Sequence, residues 1–293
     1  MEENSIKPAQ FNWYPGHMAK AKREILEVLP LVDIVLELRD ARIPLASKNP
    51  MIDEMLKNKP RLILLNKSTL ADSNRTKEWI SSLTTQNVFA LDIDSISGFN
   101  MKKIQPFIKE ILKDKLEAYA KKGLVNKSLR ALVLGIPNVG KSTFINTMAR
   151  KKVAKTGDKP GVTKNQTWLK ISDSLQFLDT PGILWPKFES QEVGLKLALC
   201  GSIKDEILDI EEVTNFGISY IKDNYSMYLK NRYNLNDLDI TNLDSTQIIQ
   251  EIAKKRGCLL KGNEFDYERV YTIFLNDVRS NRIGAMTFEK AEK

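Results

Sequence analysis

Two hydrophobic periods alternate along the first two thirds of the chain. Short, near-continuous apolar runs stand at Leu31–Leu38, Leu62–Leu65, Val88–Leu91, Ala131–Leu134 and Leu175–Leu178. Runs without polar alternation suit strands buried on both faces of a parallel sheet. Between them, apolar residues return at helical spacing, predicting helices over Lys20–Leu29, Pro50–Lys59, Ser73–Leu83, residues 99–122 and Phe144–Met148. The 99–122 segment is studded with lysine, and Pro106 predicts a bend in it. Alternation of this kind predicts an α/β fold, a mostly parallel sheet with flanking helices.

From about Pro186 the strand pattern stops. Helices are predicted over Gln191–Leu199, Asp209–Lys222, Met227–Tyr233, Ser245–Arg256 and Asp266–Val278, with apolar stripes such as Ile248, Ile249 and Ile252. The expected organisation is therefore an α/β domain over residues 1–187 and a small all-helical domain over 188–293. The apolar run Leu31–Leu38 is interrupted by Asp33 and Glu37 and is too short to span a bilayer. The first seven residues lack an apolar signal core. These features point to a cytoplasmic protein with no membrane partner.

The strand Ala131–Leu134 runs into Gly135-Ile-Pro-Asn-Val-Gly-Lys-Ser-Thr143 and then into a helix. Strand, glycine-bounded loop and helix opened by Lys-Ser is the phosphate-cradling loop G-x-x-x-x-G-K-[ST]. Gly135 and Gly140 free the backbone so that successive N–H groups turn inward toward phosphate oxygens. The helix N-terminus adds partial positive charge, Lys141 reaches the β/γ-phosphates, and the Ser142 hydroxyl suits Mg²⁺. Downstream, the strand Leu175–Leu178 ends in Asp179-Thr-Pro-Gly182. A carboxylate at that strand tip suits a magnesium-associated acid, and the Gly182 N–H falls where a γ-phosphate would sit. Between the two motifs, Lys159-Pro-Gly-Val-Thr163 offers a threonine to complete the metal shell. In this order and spacing the trio looks like a GTPase.

Upstream of the phosphate loop, Leu62–Leu65 ends in Asn66-Lys67-Ser68-Thr69. A GTPase carries Asn-Lys-x-Asp at such a strand end, and its aspartate accepts two hydrogen bonds from guanine. Thr69 cannot make that bidentate pair, at a cost of about 1–3 kcal/mol. Asp72, three residues on, is a candidate to reach back. A second loop, Asp92-Ile-Asp94-Ser95, is placed to add backbone and hydroxyl contacts to a base. Both base-reading loops precede the phosphate loop, the reverse of the ordinary GTPase order, so the chain reads as circularly permuted.

Charge narrows the partner. The net charge of +8 divides into +12 over residues 1–187 and −4 over 188–293, and residues 100–170 alone carry 17 basic against 4 acidic residues. A block of that size around a nucleotide site suits a polyanion such as RNA. Cys200 and Cys258 lie 58 residues apart, so neither a disulfide framework nor a metal cluster is suggested.

Pro15-Gly-His-Met18, Asp40-Ala-Arg-x-Pro44, Asn66-Lys67, the phosphate loop and Asp179-Thr-Pro-Gly-Ile-Leu-Trp-Pro-Lys187 occur here in one order. Together they closely resemble the circularly permuted GTPases of bacterial ribosome assembly, specifically the ribosome biogenesis GTPase A family. The resemblance implies a factor that hydrolyses GTP to GDP and phosphate, and the expected state is a monomer. It also implies binding to a late large-subunit precursor in the GTP state, release after hydrolysis, and contact of the helical domain with ribosomal RNA.

Carried over by position, GTP contacts fall on Asn66, Lys67, Ser68, Thr69, Asp94, Ser95, Asn138, Val139, Gly140, Lys141, Ser142, Thr143 and Gly182. Mg²⁺ falls on Ser142, Thr163 and, through water, Asp179, while Asn138 matches the asparagine that holds K⁺ in potassium-stimulated relatives. Where many GTPases place a water-orienting glutamine, the chain has Ile183, which cannot orient water. The resemblance shifts that role to His17, with Lys141 on the phosphates, and implies slow hydrolysis that ribosomal particles stimulate. Thr69 and Ile183 also fit an alternative: a nucleotide-sensing RNA-binding module with little turnover and relaxed base selectivity.

Overall fold

The computed structural model describes residues 15–56, 59–124, 127–151, 168–179, 190–205 and 209–292, with the backbone alone for residues 15–21 and 179. Six strands form one sheet: β1 (Ile34–Asp40), β2 (Arg61–Asn66), β3 (Val88–Asp92), β4 (Leu129–Gly135), β5 (Trp168–Ser172) and β6 (Leu175–Asp179). Their spatial order is β3-β2-β1-β4-β6-β5. All neighbours run parallel except the edge pair β5–β6. The strand that feeds the phosphate loop is thus fourth in sequence but interior in the sheet. The strands that precede it occupy one side and those that follow it the other.

Every residue of β1 is buried, because helices cover both sheet faces. Ile34, Leu36 and Leu38 join the large core that includes Ile104 and Ile108 of α4 (Ile104–Ile111) and Phe144 and Ile145 of α6 (Lys141–Ala149). Val35 faces the other way, with Ile25 of α1 (Pro15–Val28) and Ile52, Met55 and Leu56 of α2 (Pro50–Leu56). A third cluster seats Trp79 of α3 (Ser73–Leu83) against Ile63, Leu65 and Ala90.

The polar residues inside the strand runs are paired rather than solvated. Glu37 accepts from Arg39 Nε at 2.7 Å and from Arg61 at 3.1 Å, which compensates burying charge on β1.

Residues 99–122 do not form one helix bent at Pro106. They divide into α4 and α5 (Lys113–Lys121), and the break falls at Leu112. Pro106 lies in the first turn of α4, where its missing N–H removes no intrahelical bond.

The C-terminal helices are α7 (Gln191–Leu199), α8 (Ile210–Tyr233), α9 (Ser245–Arg256) and α10 (Tyr267–Arg279). The two helices expected over 209–233 are both present within α8, separated by a kink at Tyr225, whose backbone is non-helical at φ −143° and ψ 40°. At Gly217 an added Cβ would lie 2.8 Å from Leu199 and 2.9 Å from Phe274, so glycine lets α8 approach both α7 and α10. The apolar residues of these helices are continuous with the larger sheet core.

The chain then turns back to the sheet. Met286 N–H donates to Leu70 O at 3.1 Å and Phe288 N–H to Arg42 O at 2.7 Å.

Candidate functional site

Strand register gathers the motifs at one sheet edge. Asp40 is level with Asn66, Leu38 with Gly135, Leu65 with Asp92 and Val133 with Asp179. The loops leaving the carboxyl ends of β1, β2, β3, β4 and β6 therefore start within a residue or two of a common line. In an open α/β sheet that is where ligands bind.

The loop from Gly135 to Thr143 follows from its glycines. Gly140 has φ +99° and is the residue before α6. A Cβ there would lie 2.5 Å from Asn66 Nδ2, so only glycine allows that side chain to lie against the loop. Asn138 is left-handed at φ 56°, and its carbonyl accepts from Lys67 Nζ at 3.0 Å. Lys141 is the first residue of α6. Its Nζ donates to the carbonyls of Gly135 at 3.1 Å and Ile136 at 3.4 Å, laying the ammonium over the loop. Ser142 and Thr143 follow in the first turn, partly exposed, where the α6 dipole favours anions.

Asn66 ties this loop to the other two. Its Nδ2 donates to Val139 O at 2.8 Å, and its Oδ1 accepts from the Ser95 N–H at 3.0 Å and hydroxyl at 2.9 Å. Thr147 on α6 donates to Ser95 O at 2.9 Å. Asp94 Oδ1 accepts the N–H groups of Ile96 at 2.8 Å and Ser97 at 3.0 Å, and Oδ2 accepts the Thr69 hydroxyl. The structure thus brings Asn66, Lys67, Thr69, Asp94, Ser95, Asn138, Val139, Gly140 and Lys141 into one connected wall. Ser68 sits in it differently: its hydroxyl is buried without a hydrogen-bond partner among the described residues.

Asp72 does not reach back toward the base loop. Its Oδ1 caps α3 by accepting from Asn74 N and Arg75 N, and its Oδ2 accepts from Tyr225 at 3.2 Å. Capping residues are favoured at this position because they satisfy orphan helix N–H groups.

One group joins two of the segments quoted above, Asp40-Ala-Arg-x-Pro44 and Asn66-Lys67, in a pairing that the sequence does not show. Asp40, fully buried at the end of β1, takes both Arg42 Nε at 2.9 Å and Arg42 Nη2 at 2.8 Å, and also pairs with Lys67 Nζ at 2.9 Å. Burial opposes ionisation of Asp40, but Arg42 and Lys67 outweigh it and hold the carboxyl well below the usual carboxylate range. Arg42 Nη2 also donates to Cys200 O at 2.9 Å, at the end of α7. Burial pushes the Cys200 thiol up to about 12, so it stays protonated. Farther along, Glu289 accepts the N–H groups of Leu45 at 2.6 Å and Ala46 at 2.9 Å. The Asp40-Ala-Arg-x-Pro44 segment marks this strand end in the sequence, whereas the contacts of Arg42 with Cys200 and of Glu289 with Leu45 and Ala46 have no local signal.

His17 lies in α1, but its side chain, like that of Asp179, is outside what is described. Thr163, Gly182 and Ile183 lie wholly outside the described residues. Among the described residues, no cluster of three His, Cys, Asp or Glu side chains is arranged to hold a metal, and no helix is long and apolar enough to cross a membrane.

Comparison with known proteins agrees with this geometry. A family model described as "50S ribosome-binding GTPase" matches residues 130–254. Ribosome biogenesis GTPase A of Bacillus pumilus is 48% identical over 96% of this chain and 98% of its own length. That of Thermotoga maritima is 32% identical over 96% and 95%.

The chain belongs to the ribosome biogenesis GTPase A family.

Two solved structures share its fold. A GDP-bound structure of TM YlqF has a TM-score of 0.67 at 27% identity, covering 92% of this chain and 100% of that one. A GNP-bound YlqF from T. maritima has a TM-score of 0.62 at 28% identity, covering 94% and 99%. As a member of the ribosome biogenesis GTPase A family, the protein binds and hydrolyses GTP and acts in ribosome biogenesis. Its P-loop GTPase domain is circularly permuted. The matched span 130–254 begins inside β4 and so takes in the phosphate loop but not Asn66–Thr69 or Asp94–Ser95. That omission is what permutation does to a model written for the ordinary chain order.

Proposed function

We propose that the protein loads GTP, docks in that state on a late precursor of the large ribosomal subunit, and leaves after hydrolysis. The triphosphate lies on Asn138, Val139, Gly140, Lys141, Ser142, Thr143 and Gly182, and the base lies by Asn66, Lys67, Ser68, Thr69, Asp94 and Ser95. The observation that carries this reading is Asn66, whose side chain joins the phosphate loop at Val139 to the second base loop at Ser95. On binding, the Lys141 ammonium exchanges the carbonyls of Gly135 and Ile136 for phosphate oxygens, a charge-assisted contact.

Oxygen donors of the kind Mg²⁺ takes are present at this edge. Ser142 lies in the first turn of α6 and Asp179 closes β6. With Thr163 they would hold Mg²⁺, Asp179 through water. The ion would neutralise charge on the β- and γ-phosphates. Asn138, exposed and left-handed, is the residue proposed for K⁺. Because Ile183 cannot orient water, His17 is proposed to position the attacking water when the protein is docked on the ribosomal particle. Hydrolysis is then slow alone and faster on particles. The basic block at 100–170 supports an RNA partner, with the helical region as a second contact, for a monomer working in the cytoplasm.

Sedimentation with purified large-subunit precursors tests the cycle. The protein should travel with them in a non-hydrolysable GTP analogue and remain free in GDP. Equal association in both would end this reading. His17→Ala should bind GTP normally yet lose particle-stimulated phosphate release; an unchanged stimulated rate removes His17 from the mechanism.

A further inference from the structure

We infer that the Thr69 hydroxyl, its single proton claimed by the Asp94 carboxylate, is the acceptor that distinguishes guanine from adenine in this protein. The inference rests on the base lying at residues 66–69 and 94–95, as proposed above.

A hydroxyl by itself is a poor judge of a base. It has one donor and two acceptor lone pairs, and it rotates to suit whatever it meets. Facing the N1–H of guanine it accepts; facing the N1 lone pair of adenine it turns and donates. Replacing a carboxylate with a free threonine should therefore erase selectivity.

Thr69 is not free to turn. Asp94 is 5% exposed, and its Oδ1 is held by the N–H groups of Ile96 at 2.8 Å and Ser97 at 3.0 Å. The backbone around it is closed by Asp94 N–H to Phe99 O at 3.1 Å and Gly98 N–H to Asp94 O at 2.9 Å. The next residue, Ser95, is anchored to Asn66. The carboxylate is therefore fixed, and its Oδ2 meets Thr69 Oγ1. An ionised carboxylate only accepts, so Thr69 must donate. With that proton committed, the hydroxyl of exposed Thr69 offers only lone pairs to the outside. The bond to a charged acceptor also polarises Oγ1 and strengthens it as an acceptor in turn.

The pair thus presents a carboxylate's polarity one atom removed. Guanine N1–H or N2–H₂ finds an acceptor, while adenine N1 finds lone pair against lone pair. One bond replaces the usual two, so the preference is real but smaller, roughly tenfold or more for GDP over ADP.

Affinities of the full-length protein for GDP and ADP, in wild type and five variants, test this. Asp94→Asn gives Thr69 a partner that also donates, so the GDP:ADP ratio should fall toward one. Thr69→Val should do the same, and Thr69→Ser should keep the wild-type ratio. Thr69→Asp is the sharpest arm. If Asp94 already supplies the negative charge, a second carboxylate facing it should weaken GDP binding roughly tenfold, and adding Asp94→Asn should restore guanine preference to the wild-type level or above. Tighter GDP binding by Thr69→Asp alone, with the Asp94→Asn ratio unchanged, overturns the inference. Equal wild-type affinity for GDP and ADP also overturns it while leaving triphosphate binding intact. Failure to bind either nucleotide overturns both this and the placement of the nucleotide. Melting temperatures of each variant separate a lost fold from lost discrimination, and the Thr69→Ser and Thr69→Val pair decides the question if Asp94 variants do not fold.

Discussion

The phosphate loop and the base loops share one sheet edge but are built in opposite ways. The loop at 135–143 takes its form from its own sequence: glycines that permit its backbone angles, and a helix that begins at Lys141. The base loops at 66–69 and 94–97 depend on partners far along the chain. Asn66 is positioned by Val139 and Ser95, Lys67 by Asp40 and Asn138, and Thr69 by Asp94. Behind Lys67, Asp40 leads through Arg42 to the end of α7, and the segment after α10 returns to pair with Leu70 and Arg42. Phosphate recognition is thus a local property, whereas base recognition is assembled by the tertiary fold. A change in the helical region has a short physical route to the base and a longer one to the phosphates.

The largest effect that would break this contrast is loss of Arg42. Arg42→Ala leaves Asp40 buried with Lys67 as its one charged partner, beside the backbone N–H of residue 42, and removing one partner of a buried pair costs about 3–5 kcal/mol. Chemical denaturation should show that loss, together with weaker guanine-nucleotide binding. Asp40 also sets the sign with pH. Its folded pKa is depressed, so its contribution is fully present above the ordinary 3.8 and fades as pH falls below it. The stability gap between wild type and Asp40→Asn should stay constant from pH 7 to about 4 and narrow only in stronger acid. A gap that closes already near pH 6 contradicts the pairing.

Next in size is Lys141→Ala, which probes the local side. Losing a hydrogen bond to charged phosphate costs about 1.5–3 kcal/mol, or roughly ten- to a hundredfold in GTP affinity. The melting temperature without nucleotide should hardly move. Undiminished affinity would refute the assignment of the phosphate loop.

Gly140→Ala tests the seam between the two sides. Its φ of +99° is strained for alanine, and the new Cβ would sit 2.5 Å from Asn66 Nδ2. A cost of about 1–3 kcal/mol is expected. Because the clash falls on Asn66, the base loops should loosen with the phosphate loop, visible as faster amide exchange at Ser95. Unchanged exchange there would mean Asn66 is not the link.

The same contrast explains what could be read from sequence. The strands β1, β2, β4 and β6 announce themselves because burial on both faces demands continuous apolar runs. The phosphate loop does so because only glycine allows its backbone. By contrast, β5 is a half-buried edge strand, Trp168–Ser172, and carries no such run. Pro106 predicts a bend because a proline inside a helix breaks it, yet at the start of α4 it is tolerated. The pairing of Asp40 with Lys67, of Thr69 with Asp94, and of Glu289 with the Leu45–Ala46 backbone spans 25 to 244 residues. No local period records contacts at that distance.

The smallest expected effect comes from Glu289, where the segment after α10 meets the loop after β1. Burial raises its pKa above the ordinary 4.5, against the pull of Lys196 and the two backbone N–H groups. The sign is opposite to that of Asp40. As pH falls from neutral toward 4.5, the folded protein takes up this proton before the unfolded chain does, so wild type gains stability from this site. Glu289→Gln keeps an acceptor for Leu45 or Ala46 and removes the titration, at a cost of roughly 1 kcal/mol or less. Melting temperatures of both proteins at pH 7 and pH 5 should therefore show the difference moving in favour of wild type in acid. A shift the other way would mean that Lys196 dominates this carboxylate. The contact would then be an ion pair rather than a buried acid held to the backbone, and the helical region would grip the base side by charge.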